Sequence, residues 1–401
     1  MTEPHLMRAA LLEPKDQLAV PVKTPVYTYL VADLLTDQLL ANIPLTGVTF
    51  DRRVSRVGSF NGTWNIPNRE QAILADDISK NGGRYALWVM RDKVVWWGGI
   101  IWNCSGSIAT RGYDTVGIQA ATFDSYLDHR FLDNDWEGLV EEDLAYGPID
   151  VWDTVQAFTY SDIGVITTDS PANLAGSGLP ALVVLAESDQ KTYNDAIRLY
   201  TDAENGCDYT IDVFQDTDGS RIKKLRTAGS FALVQPASKY TISGYRLPAW
   251  TFERDATKGG TYFRVWGDPQ DGNAGAEVLP VSSNYMLAQD LLDAGWPRLD
   301  VSADIGELPQ TGYQARLDAQ ARALRARYSG IKDIVTFDVD LGTSQWHPNL
   351  IGQNVIIKRS KKDLWRPGET STITPVVVEF TAPERGAAER VKFTIDGAEE
   401  G

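Results

Sequence analysis

Cysteine, histidine, basic charge and long apolar runs are all scarce in this 401-residue chain. Its two cysteines, Cys104 and Cys207, lie far apart without CxxC spacing. That excludes a disulfide framework or a cysteine zinc site and predicts two structural thiols. The three histidines, His5, His129 and His347, fall in no HxxxH or HxxE arrangement, which speaks against metal or catalytic use. No stretch approaches 18 apolar residues, so no spanning helix is predicted. The opening MTEPHLMRAALLEPK has acidic residues and prolines where an export signal needs an apolar segment. Lysine and arginine number 38 against 54 acidic residues, a formal net of −16. Such a balance opposes a phosphate-binding surface, because nucleic-acid affinity comes from clustered cations.

Motifs that carry chemistry are also few. Gly98-Gly99 and Gly259-Gly260 lack the lysine and hydroxyl residue of a phosphate-binding loop. The densest acidic run, Glu141-Glu142-Asp143, reads as a solvated face rather than a glycosidase pair. Asp216-Thr217-Asp218-Gly219 resembles the start of a calcium loop, but Thr227 stands where the closing glutamate belongs, so a hairpin turn is expected. No residue is assigned a catalytic, cofactor-binding or metal-ligating role, and no cofactor is expected.

What the chain does have is aromatic β-strand material. The stretch Val94 to Asn103, VVWWGGIIWN, is too apolar for a loop and too short for a membrane span, and reads as a core strand. Its paired glycines predict a bulge, a barrel corner or a close backbone approach. Residues 1–25, with four prolines, read as an extended arm. Strands are predicted at Val26–Ala32, Gly47–Val54, Ser59–Ile66, Arg84–Met90 and Thr115–Phe123, with a helix at Arg69–Lys80 capped by Asn68. Together, residues 26–146 have the content of a small β-barrel.

Residues 147–329 read as an α+β insert and connecting region. Asp150 is expected to cap a helix running to Tyr160, and Thr192 a second with Tyr193, Ile197 and Tyr200 on its apolar side. Ser170–Pro180 reads as a loop, and Asp208–Gln215 with Arg221–Thr227 as a hairpin. Ala249–Arg254 and Thr261–Trp266 are expected to pair across Lys258-Gly259-Gly260. Asn284–Ala294 reads as helical, and Gly312–Tyr328 as a helix with a capping box from Thr311 and Gln314. Strands at Ile334–Leu341, Asn354–Arg359, Thr372–Phe380 and Arg390–Ile395 suggest a second small barrel over 330–401. The expected fold class is thus mainly β with an α+β insert: two small β-barrels plus a helical and hairpin-containing subdomain.

Three segments carry a family resemblance: the strand with Gly58-Ser59-Phe60-Asn61-Gly62, the Trp97-Gly98-Gly99-Ile100-Ile101-Trp102 strand, and FDSYLDHR at Phe123–Arg130. They resemble the minor tail proteins of long-tailed phages infecting actinobacteria, which are similar to baseplate hub proteins. The close match covers Val26 to Asp135; the remainder follows the family in order only. The resemblance implies a homotrimeric hub in the virion tail tip, assembled in the host cytoplasm, whose two barrels per subunit form a ring around the DNA exit channel. It implies as partners the distal tail protein ring, tail fibre or tip proteins and the tape measure protein, with genome DNA passing unbound and no membrane anchor. An acidic lumen would suit that passage. The family sometimes carries peptidase or glycosidase domains after the hub, and with the last strand ending shortly before Gly401 none is expected here. It transfers no catalytic residue; Phe123, Tyr126, Asp128, His129 and Arg130 match its motif in a structural role at a barrel edge. The competing reading from the 12 tryptophans is a cell-wall carbohydrate-binding or peptidoglycan-hydrolysing module.

Overall fold

The computed structural model describes residues 24–108, 112, 114–138, 144–167, 170–172, 183–203, 205–234, 240–243, 247, 249–257, 259–269, 280–308, 312–330, 332–341, 346–361, 368–384 and 389–395. Most of the N-terminal arm therefore lies outside the described residues, as does most of the Ser170–Pro180 loop.

The first β-rich region contains β1 (Tyr27–Asp33), β2 (Leu39–Ile43), β3 (Leu45–Arg53), β4 (Ser59–Ile66), α1 (Arg69–Lys80), β5 (Tyr85–Arg91), β6 (Val94–Ser107) and β7 (Asp114–Thr122). The middle holds β8 (Trp136–Gly138), α2 (Gly147–Ala157), β9 (Val165–Ile166), β10 (Val183–Leu185), α3 (Tyr193–Thr201), β11 (Asp208–Gln215), β12 (Arg221–Ala228), α4 (Phe231–Val234) and β13 (Thr241–Ser243). Next come β14 (Ala249–Asp255), β15 (Tyr262–Pro269), β16 (Val281–Ser282), β17 (Met286–Leu287), α5 (Gln289–Asp293), β18 (Asp300–Leu308) and α6 (Tyr313–Tyr328). The chain finishes with β19 (Lys332–Val339), β20 (Val355–Lys358), β21 (Thr370–Ile373), β22 (Pro375–Thr381) and β23 (Arg390–Ile395).

Local signals set several of these elements. Asn68 caps α1 by accepting from the Gln71 N–H at 3.0 Å. Thr192 and Asp195 form a reciprocal capping box on α3. Ser59–Ile66 alternates exposed and buried along its whole length, as a half-buried strand must.

The architecture rests on one sheet that takes strands from both ends of the chain. Its order is β14-β19-β23-β22-β3-β4-β7-β6-β5-β1-β2, and the antiparallel β22–β3 pair joins the C-terminal strands to the N-terminal ones. The sheet curls tightly. The rings of Tyr27 on β1 and Phe50 on β3 sit 6.2 Å apart although four strands lie between them in the pairing order. A flat sheet would separate those strands by about 24 Å, five spacings of roughly 4.8 Å. Inside the curl lies one core, shared by Phe50, Phe60, Trp64 and Trp97 from the first region and Phe337, Val378, Phe380 and Phe393 from the last. Backbone pairing among the described residues leaves β2 and β14 as the two ends, so neither β-rich region is closed into a barrel by hydrogen bonds.

Strands β5 and β6 are buried on both faces. Leu87, Val89, Trp97 and Ile101 enter the shared core, while Ala86, Trp88, Val95 and Ile100 enter a second core against α2, α3 and the β11–β12 hairpin. The bulges in β6 fall at Trp96 and Trp102, the residues left over by register shifts against β5 and β7. Because of the first, Trp96 and Trp97 both reach the shared core. Gly98 and Gly99 serve close approach instead. A Cβ on Gly98 would lie 2.8 Å from the rings of Phe123 and Trp88, and one on Gly99 would lie 2.0 Å from the Ala121 carbonyl oxygen.

Several expectations are corrected. β14 does not pair with β15; it pairs antiparallel with β19 in the large sheet, while β15 pairs in parallel with β18 in a separate small sheet packed on α6. The Asn284–Ala294 helix shrinks to Gln289–Asp293, because Met286 and Leu287 pair with β15. The cap of α6 is Gly312 at φ 73°, with no side-chain capping bond, and Thr311 of the expected capping box lies outside the described residues. Helix α2 begins at Gly147 with Pro148 in its first turn, which places Asp150 inside the helix. The Thr372–Phe380 strand is two strands: β21 pairs with β20, and β22, opened by Pro375, belongs to the large sheet. Proline lacks the N–H that would have continued the first ladder.

Replacing Gly99 with alanine forces the Ala121 backbone away and is expected to cost at least 1–3 kcal/mol, by about the scale of core overpacking. A lowered urea midpoint, with Gly106→Ala in open space as the neutral control, checks this.

Candidate functional site

A cluster of charge around the buried Arg52 forms a junction where three parts of the chain meet: β3, the β11–β12 hairpin and the turn at Pro348–Leu350. Arg52 is 2% exposed. On β3 it follows Val48 and Phe50 in the inward-facing row, so a guanidinium occupies a core position. Every bond it makes is long-range. Its Nη1 donates to Asn349 Oδ1 at 2.7 Å, and its Nη2 to Thr210 Oγ1 at 2.8 Å and the Ile211 carbonyl at 2.7 Å. Asp212 lies 3.6 Å from the same Nη2 and also accepts from Arg226 Nε at 2.8 Å. Arg226 Nη2 donates to the Asn349 carbonyl at 2.8 Å. The Asn349 side chain completes the junction by bonding both the N–H and the carbonyl of Val213, at 3.2 and 2.9 Å. Burial pulls the Arg52 pKa down and Asp212 pushes it back. Two arginines sharing one aspartate in this way tie strand to hairpin to turn.

His347 belongs to this junction. Its Nε2 bonds the Val95 carbonyl at 2.8 Å, so that nitrogen carries the proton, and Nδ1 accepts from the Asn349 N–H at 3.1 Å. Burial lowers its pKa and keeps it neutral. The ring also packs edge-on against Trp96, 5.8 Å between centroids. His347 therefore fastens the turn to β6. His129 instead stacks on Trp102 at 4.1 Å, and His5 and Glu141-Glu142-Asp143 lie outside the described residues.

Within the Phe123–Arg130 segment, Phe123–His129 form a short 3-10 helix that plugs the β5–β6 face. Phe123 packs on Trp88 at 5.2 Å, and Asp128 accepts from Asn194 of α3 at 2.5 Å. Arg130 pairs with Asp133 at 2.7 Å, and its carbonyl accepts from the Tyr193 N–H at 2.9 Å. Tyr126 is half-buried. Asp124 is buried beside a small void of about 10 Å³ lined by Arg52, Thr210 and Gly98. Its Oδ2 accepts a long 3.5 Å bond from Tyr209, and burial raises its pKa to about 6 against the opposing pull of Thr122 and Arg52.

Two further buried ions were not legible as sites. Lys223 donates to the carbonyls of Leu34 and Ile163, and burial lowers its pKa to about 8. Arg91 at the end of β5 makes a two-pronged bond to Glu389, both contacts 2.8 Å, and Tyr27 donates to the same carboxylate. That pair crosses the mouth of the curl and ties the start of β23 to β1 and β5. Among the described residues no group of three histidine, cysteine or acidic side chains is placed to hold a metal. Asp216–Gly219 is the hairpin turn, with Gly219 at φ 91° and Asp218 accepting from Ser220. Cys104 and Cys207 form no disulfide. No helix among the described residues is long and apolar enough to cross a membrane.

The arrangement is a clamp: its charged groups are consumed in holding elements together across the curled sheet. The fold so defined is shared with phage tail proteins. No family model matches the chain, and no curated protein matches it by sequence. Among solved structures, the tail protein from Neisseria meningitidis MC58 superposes with a TM-score of 0.53 at 12% identity, covering 92% of this chain and 96% of that one. The 43 kDa tail protein of prophage MuSo2 from Shewanella oneidensis gives 0.54 at 12% identity, covering 93% and 98%. The lidded Francisella PdpA–VgrG complex gives 0.50 at 8% identity; this chain is covered over 95% of its length and spans 54% of the matched one. At such identities the likeness is one of fold.

Replacing Arg52 with methionine removes the guanidinium donor from the Ile211 carbonyl, Thr210 and Asn349 Oδ1 while Asp212 keeps Arg226, an expected loss of about 1–3 kcal/mol readable as a lower urea midpoint. Asp124 gives a pH signature. A carboxyl whose folded pKa is raised adds stability below the ordinary value of 3.8 and loses it as pH climbs through about 6. The gap corresponds to roughly 3 kcal/mol. Asp124→Asn is therefore expected to gain on the natural protein as pH rises from 4 to 7.5, and parallel urea titrations at the two values check the sign.

Proposed function

We propose that the chain is a structural protein of a phage-type tail: a baseplate-hub subunit forming a homotrimeric ring around the channel through which DNA leaves, at the tail tip of the virion. The observation that carries this reading is the length of the fold likeness. Two tail proteins are matched over 96% and 98% of their own chains, so whole proteins correspond rather than one module.

Three features support the finer parts. Both β-rich regions feed one curled sheet, so each subunit would bring a single continuous β wall to the ring. A net charge of −16 suits a lumen that DNA must pass without sticking. The buried Arg52 and the half-buried Asp212, Arg226, Arg91 and Glu389 act as fasteners, which favours a structural over a catalytic role. The distal tail ring, fibre or tip proteins and the tape measure protein are the proposed neighbours, and the actinobacterial host rests on the motif resemblance alone.

Cross-linking of intact virions followed by peptide mass spectrometry tests the reading. Links between copies of this chain and to a ring-forming tail protein are expected. A chain linked only to fibre components would contradict it, as would peptidoglycan-clearing activity of the purified protein.

A further inference from the structure

Where β1 ends, the surface opens into an apolar groove of about 500 Å³. One wall is the β1–β2 turn, with Leu34 and Leu35, and the other is the α2–β9 connection, with Tyr160 and Ile163; Tyr126 of the 3-10 helix also lines it. Two of these side chains are placed at a cost. Leu35 is 54% exposed, and Tyr160 is 88% exposed on a backbone at φ 63°. A tyrosine in the left-handed region is strained, and its ring in water returns nothing to the fold. The groove is also built in advance. The buried Lys223 ammonium donates to the Leu34 carbonyl on one wall and the Ile163 carbonyl on the other, so one cation fixes their separation.

We propose that this groove receives the chain's own N-terminal arm through the run Leu6-Met7-Arg8-Ala9-Ala10-Leu11-Leu12. Residues 1–23 lie outside the described residues, and the described chain begins at Thr24, just ahead of β1. The run has six apolar side chains in seven positions. Distance permits the docking. β1 is seven residues long, so the groove lies roughly 23 Å from the arm's root at about 3.3 Å per residue. The 14 residues from Glu13 to Val26 can span about 46 Å when extended.

The surface between root and groove is apolar as well. The register sets Ile43 of β2 against Tyr29, near the root, and Leu39 against Ala32, near the groove, and both Leu39 and Leu40 are exposed. β2 ends the large sheet, with no further strand on its outer side among the described residues. Charge narrows the occupant. Asp33 and Arg84 at the rim pair with each other at 3.3 Å, so the groove offers little to a strongly charged segment. The exposed Asp162 beside Ile163 is opposite in sign to Arg8, the one charge in the run. Tethering also gives the arm an effective concentration of about millimolar, ahead of a free partner. The proposal goes beyond the tail reading and does not depend on it.

The test uses the full-length chain in a Cys104→Ser, Cys207→Ala background. Leu11→Cys is combined with Leu35→Cys in the groove or, as a control, with Val94→Cys, which is exposed and adjoins the strand end where the arm is rooted. Mild oxidation of dilute protein, read by peptide mass spectrometry, is expected to form the intramolecular 11–35 link about tenfold faster than the 11–94 link, because docking raises the effective concentration at one site only. A second measurement keeps both natural cysteines. Amides of residues 34–36 and 160–163 are expected to exchange about tenfold faster once Leu11→Asp and Leu12→Asp are introduced together, with the β5 amides unchanged. Equal rates for the two links, links formed between copies, or exchange that the double substitution leaves unaltered would each overturn the proposal. Links between copies would assign the groove to a second subunit, and none of these results bears on whether the chain belongs to a tail.

Discussion

The structure depends on two strands being buried on both sides at once. β5 and β6 divide the interior into two cores, one enclosed by the curled sheet and one beneath the α2, α3 and hairpin layer. Both layers must fit against the same backbone. That requirement explains why β6 carries bulges and two glycines in a short stretch: the bulge at Trp96 lets Trp96 and Trp97 both enter one core, and the glycines let Phe123, Trp88 and the Ala121 carbonyl close in.

The curl creates a second problem, which buried charge resolves. A sheet this tightly wound brings together pieces far apart in sequence, and backbone pairing among the described residues does not close it. Side chains do so at two places. Arg91, Tyr27 and Glu389 bridge the mouth, and the Arg52–Asp212–Arg226–Asn349 network anchors hairpin and turn beneath it. Such groups are costly to desolvate, and apolar residues could supply comparable stability. What the charges add is geometric definition: planar donors accept few arrangements.

Sequence legibility follows the range of the forces. Ser59–Ile66 and Arg69–Lys80 were readable to the residue, because alternation and the Asn68 cap act within a few positions. The partners of β14 and β15 were not, since strand pairing over tens of residues leaves no local trace; adjacency suggested a hairpin where the chain makes a sheet switch. The cap of α6 was misread because a glycine at positive φ competes silently with a good capping sequence. The Arg52 junction was hidden for a related reason: its bonds reach 158 and 297 positions along the chain. One clue was present. In the strand Val48-Thr49-Phe50-Asp51-Arg52, arginine takes the inward row set by valine and phenylalanine, and a cation there demands buried partners.

The account's central claim is a place in an assembly, and the most direct measurement is single-particle cryo-electron microscopy of purified virions that carry this chain. The account predicts three copies around the tail axis, with the curled sheets of each subunit in the ring that bounds the channel. A chain found at the periphery, at the end of a fibre or in some other copy number would contradict it.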